Sequence, residues 1–368
     1  MRTSPLHDFF AQSGARFAER YGVEIVDAVS GPDQEYALVR DAVALSDASY
    51  MQVFRIPEAA AIDALDPQLA GNVARIRFGR MLHTFLADAE GHIAADCYVA
   101  NNDEEFLLIC ESLVDDAAIR KQFMEAGGPE SGMEDLTETH AVLSLDGYKA
   151  WAVAREVFGS DILGLPYLSV ETCTFEGETV RLFRAGKTSE FGYLVLICRE
   201  KAEALAAALA AAVARQGGGL CGCSIQNDLR LEGRFFNVYA EGAVVRDPLA
   251  LGIQWMIDFE KPDFCGGEAI RQQRDAGVRH KIMGVIAQPG QDLPAEAPLF
   301  EGDEEVGHMV ASCMSHVLGC RMGLALVHID RAYVGVTLSL GTSGGPSITT
   351  ISMPPIMPKS LSVKLDEV

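Results

Sequence analysis

The chain has 368 residues, of which 49% are hydrophobic and 22% are charged, and this composition is typical of a globular protein. Because a chain of this length is too long for one ordinary core, we expect two or three packed units. The formal net charge of -22 excludes nucleic acid and anionic membrane as partners, since an acidic surface repels both.

The beginning of the chain predicts no targeting segment. Residues 1–10 hold no apolar run of signal-peptide length. No window of the sequence approaches the roughly 20 apolar residues that are needed to span a bilayer. The alanine-rich stretch 202–214 contains Glu203 and is closed by Arg215. We therefore expect a cytoplasmic protein that does not interact with a membrane.

Strand patterns alternate with helical patterns through the first 220 residues, which indicates an α+β or mixed α/β fold. A first unit is predicted to contain strands at 51–56, 81–86, 93–99 and 106–110, and helices at 58–65 and 113–126. The pattern then recurs with strands at 141–145, 179–184 and 192–198, and helices at 148–157 and 201–216. The recurrence suggests two related α+β units.

The character of the chain changes after residue 280. Short strands separated by turn residues are predicted at 282–286, 307–312, 323–327 and 336–340. We therefore place a domain boundary at this point, with one region over 1–279 and a separate small β-domain over 280–368.

The nine cysteines predict no disulfide framework, because their number is odd and their spacing is not dense. The closest pair, Cys221 and Cys223, has neither a second pair nor histidines nearby, so we expect no metal site. Buried free thiols are the simpler interpretation.

The segment 184–193 lies between two predicted strands, and Gly186 and Gly192 permit a sharp turn there. The turn would present Glu190 at its end. On local pattern alone, this segment predicts a hairpin with an exposed glutamate.

A single aspartate, Asp96, interrupts the apolar strand 93–99, although strand interiors disfavour aspartate. A buried carboxylate must be hydrogen-bonded or paired, and a bond to a neighbouring backbone turn would satisfy it. His83 lies in the preceding strand, and antiparallel pairing of the two strands would bring it near Asp96.

Two further segments carry residues of interest. Residues 228–233 alternate charge with leucine, which predicts a short helix with an outward ion pair that includes Arg230. Trp255 follows a glycine in the segment 252–255, and core packing is the default interpretation for it.

Taken together, in order and spacing, these segments resemble the glycine-cleavage T-protein family. The family's G-G-I-x-D-D-L strand, R-x-G-Y-T-G-E-x-G-Y turn, D-x-L-R-L-E-x-G helix and G-L-x-W strand correspond to residues 91–97, 184–193, 228–233 and 252–255. Further similarity lies at 4–6, 14–17, 35–40, 45–51, 143–147 and 306–327, so the resemblance covers nearly the whole chain.

The resemblance implies an α+β fold, a three-unit disc with two α/β units around a central folate pocket and a C-terminal small β-barrel. Residues 1–279 would be the folate-binding, aminomethyltransferase-like region, residues 280–368 would be the barrel, and the cofactor would be tetrahydrofolate. It also implies that Glu190 reads the pterin ring, that Asp96 is the catalytic group beside the reactive folate nitrogen, and that Arg230 contacts folate and could also hold Glu232. The remaining residues expected in the site are Met51, Trp255 and Tyr98 for the cofactor, and His83 and Tyr50 for the substrate.

The sequence departs from the family at several positions that cluster on the carbon-donor side. Ala95 replaces the first aspartate of the D-D pair, and Tyr50, His83, Lys187 and Ala250 replace other family residues. These changes favour retained folate binding with a different donor. The sequence therefore predicts a demethylase-like enzyme that moves a methyl group from a small-molecule donor to tetrahydrofolate.

Three alternatives stay open. One is the aminomethyltransferase of glycine cleavage, although the acidic surface would repel an acidic lipoyl carrier protein, which we do not expect as a partner. Another is a non-catalytic folate-binding protein of the iron–sulfur maturation type, whose signature is broken at residues 261–268. The last is a structural or regulatory protein with an empty pocket. The sequence does not name the donor.

Overall fold

The computed structural model describes residues 1–365, which form two sheet-and-helix units and a closed barrel. A five-stranded sheet forms the first unit, in the spatial order Met81–Ala87, Ile93–Asn102, Glu105–Ser112, Gln52–Pro57 and Glu134–Asp135. Its helices are Glu58–Leu65 and Asp116–Gly127. These bounds agree closely with the predicted strands and helices.

A six-stranded sheet forms the second unit, in the spatial order Val170–Phe175, Glu178–Phe183, Gly192–Cys198, His140–Asp146, Ala44–Asp47 and Gly219–Leu220. Its helices are Ala150–Phe158 and Arg199–Arg215. The longer helix buries positions spaced by three and four residues, as an amphipathic helix must, and Gly217 follows its end with a φ of 78°. Before this unit come helix His7–Gln12, strands Arg16–Arg20 and Val23–Ala28, and helix Pro32–Asp41.

The third unit is a closed six-stranded barrel. Its strands follow the order His280–Ala287, Cys320–His328, Glu304–Ser315, Pro298–Glu301, Thr337–Leu340 and Ser347–Ile351. Closure leaves no free sheet edge. The predicted fold class, two α+β units followed by a small C-terminal β-barrel, is confirmed.

Helices connect the second unit to the barrel. They are Cys223–Gly233, Glu241–Val244 and Gly267–Ala276, and short 3-10 helices occur at Val73–Arg75, Ser160–Gly164, Gln254–Met256, Ile329–Arg331 and Lys359–Ser362. The expected strand at 252–255 is therefore wrong, because the chain turns at Gly252, with a φ of 72°, into a helical turn. Within residues 1–365, no helix has the length and apolar character to cross a membrane.

Candidate functional site

A buried cluster of four charged side chains lies where the two sheets and the connecting helix meet. Asp96 and Glu111 are direct partners on adjacent antiparallel strands, so both carboxylates project from the same face of the first sheet. Lys187 comes from the loop between Phe183 and Gly192, and Arg230 comes from the helix Cys223–Gly233. Because each is contributed by a different element, the cluster exists only in the assembled fold.

The four side chains neutralise one another. Lys187 Nζ lies 2.6 Å from Asp96 Oδ2 and 2.5 Å from Glu111 Oε2. The Arg230 guanidinium forms a two-pronged pair with Glu111, at 2.9 and 3.1 Å. Tyr50 adds a hydroxyl bond to Glu111 Oε1 at 3.1 Å. Paired geometry of this kind is what buried charges require.

His83 completes the surroundings of Asp96. Its Nε2 lies 2.6 Å from Asp96 Oδ1, so the predicted approach of these two residues is confirmed. His83 lies directly opposite Tyr98 on the neighbouring strand. Asp96 is two residues from Tyr98 on that strand, so its side chain lies on the same face of the sheet as His83. The imidazole packs against the Tyr98 ring, with a centroid distance of 4.4 Å. Asp96 is thus held by the side chains of His83 and Lys187, with Arg230 at 3.7 Å, rather than by a backbone turn.

Both carboxylates of the cluster are kept ionised. Burial would raise the pKa of the Asp96 carboxyl, but the charges of Lys187 and His83 outweigh burial and hold that pKa well below its usual range. Burial acts on Glu111 in the same way, and Arg230 and Lys187 lower its pKa to about 2. At neutral pH the cluster therefore contains two ionised carboxylates, which face the Lys187 ammonium and the Arg230 guanidinium.

A small cavity borders the cluster on the side of the second sheet. Its free volume is about 30 Å³, which is room for about one water molecule. Lys187 and Arg230 line it, whereas Asp96 and Glu111 do not, so the lysine side chain stands between the cavity and Asp96. The other lining residues are Ala48, Tyr50, Met51, Ser144, Asp146, Ala185, Thr188, Leu194 and Gln226.

The loop that delivers Lys187 is held tightly by two glycines. A Cβ atom on Gly192 would lie 2.2 Å from the Cα of Gly186, a distance that no real side chain tolerates. The backbones of Gly186 and Gly192 are therefore in direct contact, and this contact closes the loop. The predicted turn is present, and its conformation sends Lys187 into the centre of the molecule.

Glu190, which was expected to read a ring edge, does not reach the cavity. Its side chain is fully buried, with Oε1 3.2 Å from the Arg40 guanidinium. Its Oε2 accepts bonds from the backbone N–H of Ser360, at 2.9 Å, and from the Ser360 hydroxyl. The expected exposed glutamate is thus replaced by a carboxylate that ties the loop to the C-terminal segment.

The ion-pair partner of Arg230 also differs from the expected one. It pairs with Glu111 rather than with Glu232. Glu232 instead lies 2.7 Å from Arg40 Nη2 and accepts bonds from the Tyr36 hydroxyl and the Ser315 hydroxyl of the barrel. The physical reason is helix geometry, because residues two apart on a helix point to different sides.

The remaining expected site residues take different positions. Met51 and Tyr50 are buried in the cavity wall, and Tyr98 is buried behind His83. Trp255 is 62% exposed and touches the site only through an edge-on contact with the His83 ring, at 5.4 Å between centroids. The expectation that Trp255 packs in the core is therefore wrong, and its side chain is not part of the cavity lining.

Sequence reasoning missed Glu111 and the central position of Lys187. Glu111 directly follows the predicted strand 106–110, and the structure continues that strand to Ser112. Extending the strand by one more pair would have put a second carboxylate opposite Asp96. Lys187 departs from the family pattern, but the direction of its side chain depends on the closed loop.

Family models match most of the chain. The model described as the GCVT N-terminal domain covers residues 6–261, and the model of the glycine cleavage T-protein C-terminal barrel domain covers residues 280–357. The aminomethyltransferase of Mycolicibacterium paratuberculosis is 27% identical over 96% of this chain and 96% of that protein. The aminomethyltransferase of Halothermothrix orenii is 24% identical over 92% of this chain and 95% of that protein.

A solved structure shares the fold along nearly the full length. The glycine cleavage system aminomethyltransferase T from Bartonella henselae superposes with a TM-score of 0.83, at 19% sequence identity. The match covers 97% of this chain and 98% of that chain. The predicted resemblance is confirmed, and the expected one-carbon transferase activity agrees with the activity for which these relatives are named.

Proposed function

Because this chain belongs to the glycine-cleavage T-protein family, we propose that it is a tetrahydrofolate-dependent one-carbon transferase that takes a methyl group from a small-molecule donor. The observation that carries the proposal is the ionised Asp96 carboxylate, held at the centre of the fold by His83 and Lys187. A fixed negative charge at this place would stabilise positive charge that develops during carbon transfer.

The polar chemistry of the central cavity fits a pterin. Asp146, Thr188 and Gln226 line one wall, and the Met51 side chain packs in another. These groups suit a flat heterocycle with a row of N–H and C=O groups at one edge. When bound, tetrahydrofolate would supply the amine nitrogen that accepts the carbon.

The room in the cavity does not match the ligand until one side chain moves. Ligand pockets usually measure roughly 300–1,000 Å³, whereas this cavity has a free volume of about 30 Å³. Lys187 lines the cavity and reaches past it to the two carboxylates, and its long flexible stem can turn away without backbone movement. Binding would therefore release Lys187 from its two carboxylates and leave the Asp96 charge free for the reacting centre.

The residues around Asp96 support a small-molecule donor. His83 holds one Asp96 oxygen and Lys187 the other, so the donor side carries a histidine and a lysine. The net charge of -22 also disfavours docking of an acidic carrier protein. We therefore favour a demethylase-like reaction over transfer of an aminomethyl group from a lipoyl arm.

Single-turnover transfer to tetrahydrofolate tests the proposal. Isotopically labelled methyl donors of several classes, namely sulfonium, N-methyl and aryl methyl ether compounds, are mixed with the protein, and labelled methyl-tetrahydrofolate is quantified. Asp96→Asn should lower the transfer rate by roughly two to three orders of magnitude, as expected for the loss of one preorganised charge. Asp116→Asn is the matched control, because Asp116 is a buried carboxylate paired with Arg2 away from the cavity.

The outcomes separate the alternatives. Transfer from an aminomethyl-loaded lipoyl carrier, without transfer from any methyl donor, would identify a glycine-cleavage aminomethyltransferase. Tight binding of tetrahydrofolate without any transfer would identify a non-catalytic folate-binding protein. Equal transfer by the wild type and Asp96→Asn would remove Asp96 from the mechanism.

A further inference from the structure

One carboxylate in the cavity wall stays outside the charge network. Asp146 is the last residue of strand His140–Asp146 and is only 2% exposed. Within residues 1–365, none of the ion pairs involves this side chain. Aspartate is almost never fully buried unless it is paired, so its position calls for an explanation.

The donors that surround Asp146 are all neutral. Its Oδ2 accepts bonds from the Ser144 hydroxyl, at 2.5 Å, and from the Gln226 amide, at 3.2 Å. Among the residues that the structure describes, its Oδ1 accepts only from the Thr188 hydroxyl, at 3.4 Å, which is a long contact for an O–H donor. Arg230 and Arg184 act on this carboxyl only at longer range. The Oδ1 atom is therefore the least satisfied charged oxygen in the cavity.

The backbone of the Lys187 loop packs closely beside Asp146. A Cβ atom on Gly192 would come within 2.8 Å of Asp146 Oδ1, and one on Gly186 would come within 3.1 Å. Any side chain at either position would press against this oxygen. The two glycines that close the Lys187 loop thus also let the loop backbone pack closely against the Asp146 carboxylate, with no side chain between them.

The contrast with Glu190 identifies which carboxylate is available. Both Glu190 oxygens are engaged, one by a guanidinium and the other by two donors from Ser360. Asp146 lines the cavity, forms no salt bridge with any residue of 1–365, and keeps one oxygen nearly unbonded. A ligand edge with two adjacent N–H donors would complete its coordination, since a carboxylate accepts two parallel bonds from such an edge.

We propose that Asp146, and not Glu190, binds the N–H edge of the pterin ring and selects ligands that carry an aminopyrimidinone. This inference rests on the proposed function, because it names the residue that recognises the proposed cofactor. Gln226, which bonds both Asp146 and the Ser46 hydroxyl at 2.6 Å, is the positioning residue that fixes the carboxylate plane.

Calorimetric titration with tetrahydrofolate under anaerobic conditions tests this assignment. Asp146→Asn places an N–H where the ligand also presents N–H groups, so its Kd should rise by about 30-fold or more. Glu190→Gln is the matched control and should stay within about threefold of the wild type, provided that its melting temperature shows an intact fold. Equal affinity of Asp146→Asn and the wild type, or the larger loss in Glu190→Gln, overturns the assignment.

A measurement on the wild type covers the case in which Asp146→Asn does not fold. An analogue of tetrahydrofolate that has hydrogen in place of the ring amino group lacks one of the two N–H donors. Its affinity should be at least about tenfold lower, and equal affinity contradicts the proposal. If the wild-type protein binds neither ligand, the proposed function itself fails along with the inference, which distinguishes the two results.

Discussion

Replacing Lys187 by methionine removes the ammonium group that lies between two buried carboxylates. Lys187 Nζ lies within 2.6 Å of Asp96 and 2.5 Å of Glu111, and these two acids face each other across adjacent strands. Removal of one partner from a buried pair usually costs about 3–5 kcal/mol. Arg230 and His83 still contact the carboxylates, so we expect about 3 kcal/mol, the lower end of that range.

The loss should depend on pH in a defined direction. In the wild type the pKa values of Asp96 and Glu111 are depressed, so the stability they contribute is present above their unfolded values and is lost progressively as the pH falls from about 4 through the folded values. Without Lys187 the carboxylates repel each other, and one of them must have a raised pKa. A carboxyl group with a raised pKa destabilises the fold above that pKa. The loss in free energy of unfolding caused by Lys187→Met should therefore become smaller as the pH falls from 7.5 to 5.

Urea unfolding at pH 7.5 and pH 5 measures both effects. Lys201→Met is the control, because Lys201 pairs with Glu176 on the surface and its loss should not measurably change stability. A Lys187→Met protein as stable as the wild type at pH 7.5 would refute the described charge network. A deficit that grows toward pH 5 would refute the assignment of repulsion as its cause.

Three further predictions follow from particular contacts. Burial raises the pKa of Asp146 to about 6, so its ionised form destabilises the ligand-free fold. Asp146→Asn should therefore raise the free energy of unfolding at pH 7.5 by up to about 3 kcal/mol. Urea unfolding should show that this gain in stability vanishes near pH 4. His83→Ala frees one Asp96 oxygen and should raise the KM of the methyl donor more than the Kd of tetrahydrofolate in steady-state and calorimetric assays. Tyr36→Phe deletes the hydroxyl bond to Glu232 and should cost about 1–3 kcal/mol in thermal or urea unfolding, since it leaves a buried carboxylate with one donor fewer.

Much of the fold follows from local sequence pattern. The helix Arg199–Arg215 repeats its buried positions at helical spacing and stops at a glycine, and the strands around Asp96 are apolar runs between turn residues. The approach of His83 to Asp96 also follows from pattern, because antiparallel pairing across a short turn sets which residues are neighbours. Such short-range logic needs no knowledge of distant residues.

The partners of the Glu190 side chain could not be predicted in this way. Its partners are Arg40 and Ser360, which are separated from it by 150 and 170 positions along the chain. The same holds for Lys187, whose carboxylate partners lie 91 and 76 positions away. A motif shows which residue types are present, but the packing of distant elements decides which of two carboxylates is left free.

The structure of the protein with bound tetrahydrofolate tests the account most directly. We predict that the pterin occupies the central cavity with its N–H edge on Asp146, and that the Lys187 side chain has left Asp96 and Glu111. A complex in which Lys187 still bridges these two carboxylates, with the ligand bound elsewhere or at Glu190, would contradict the account.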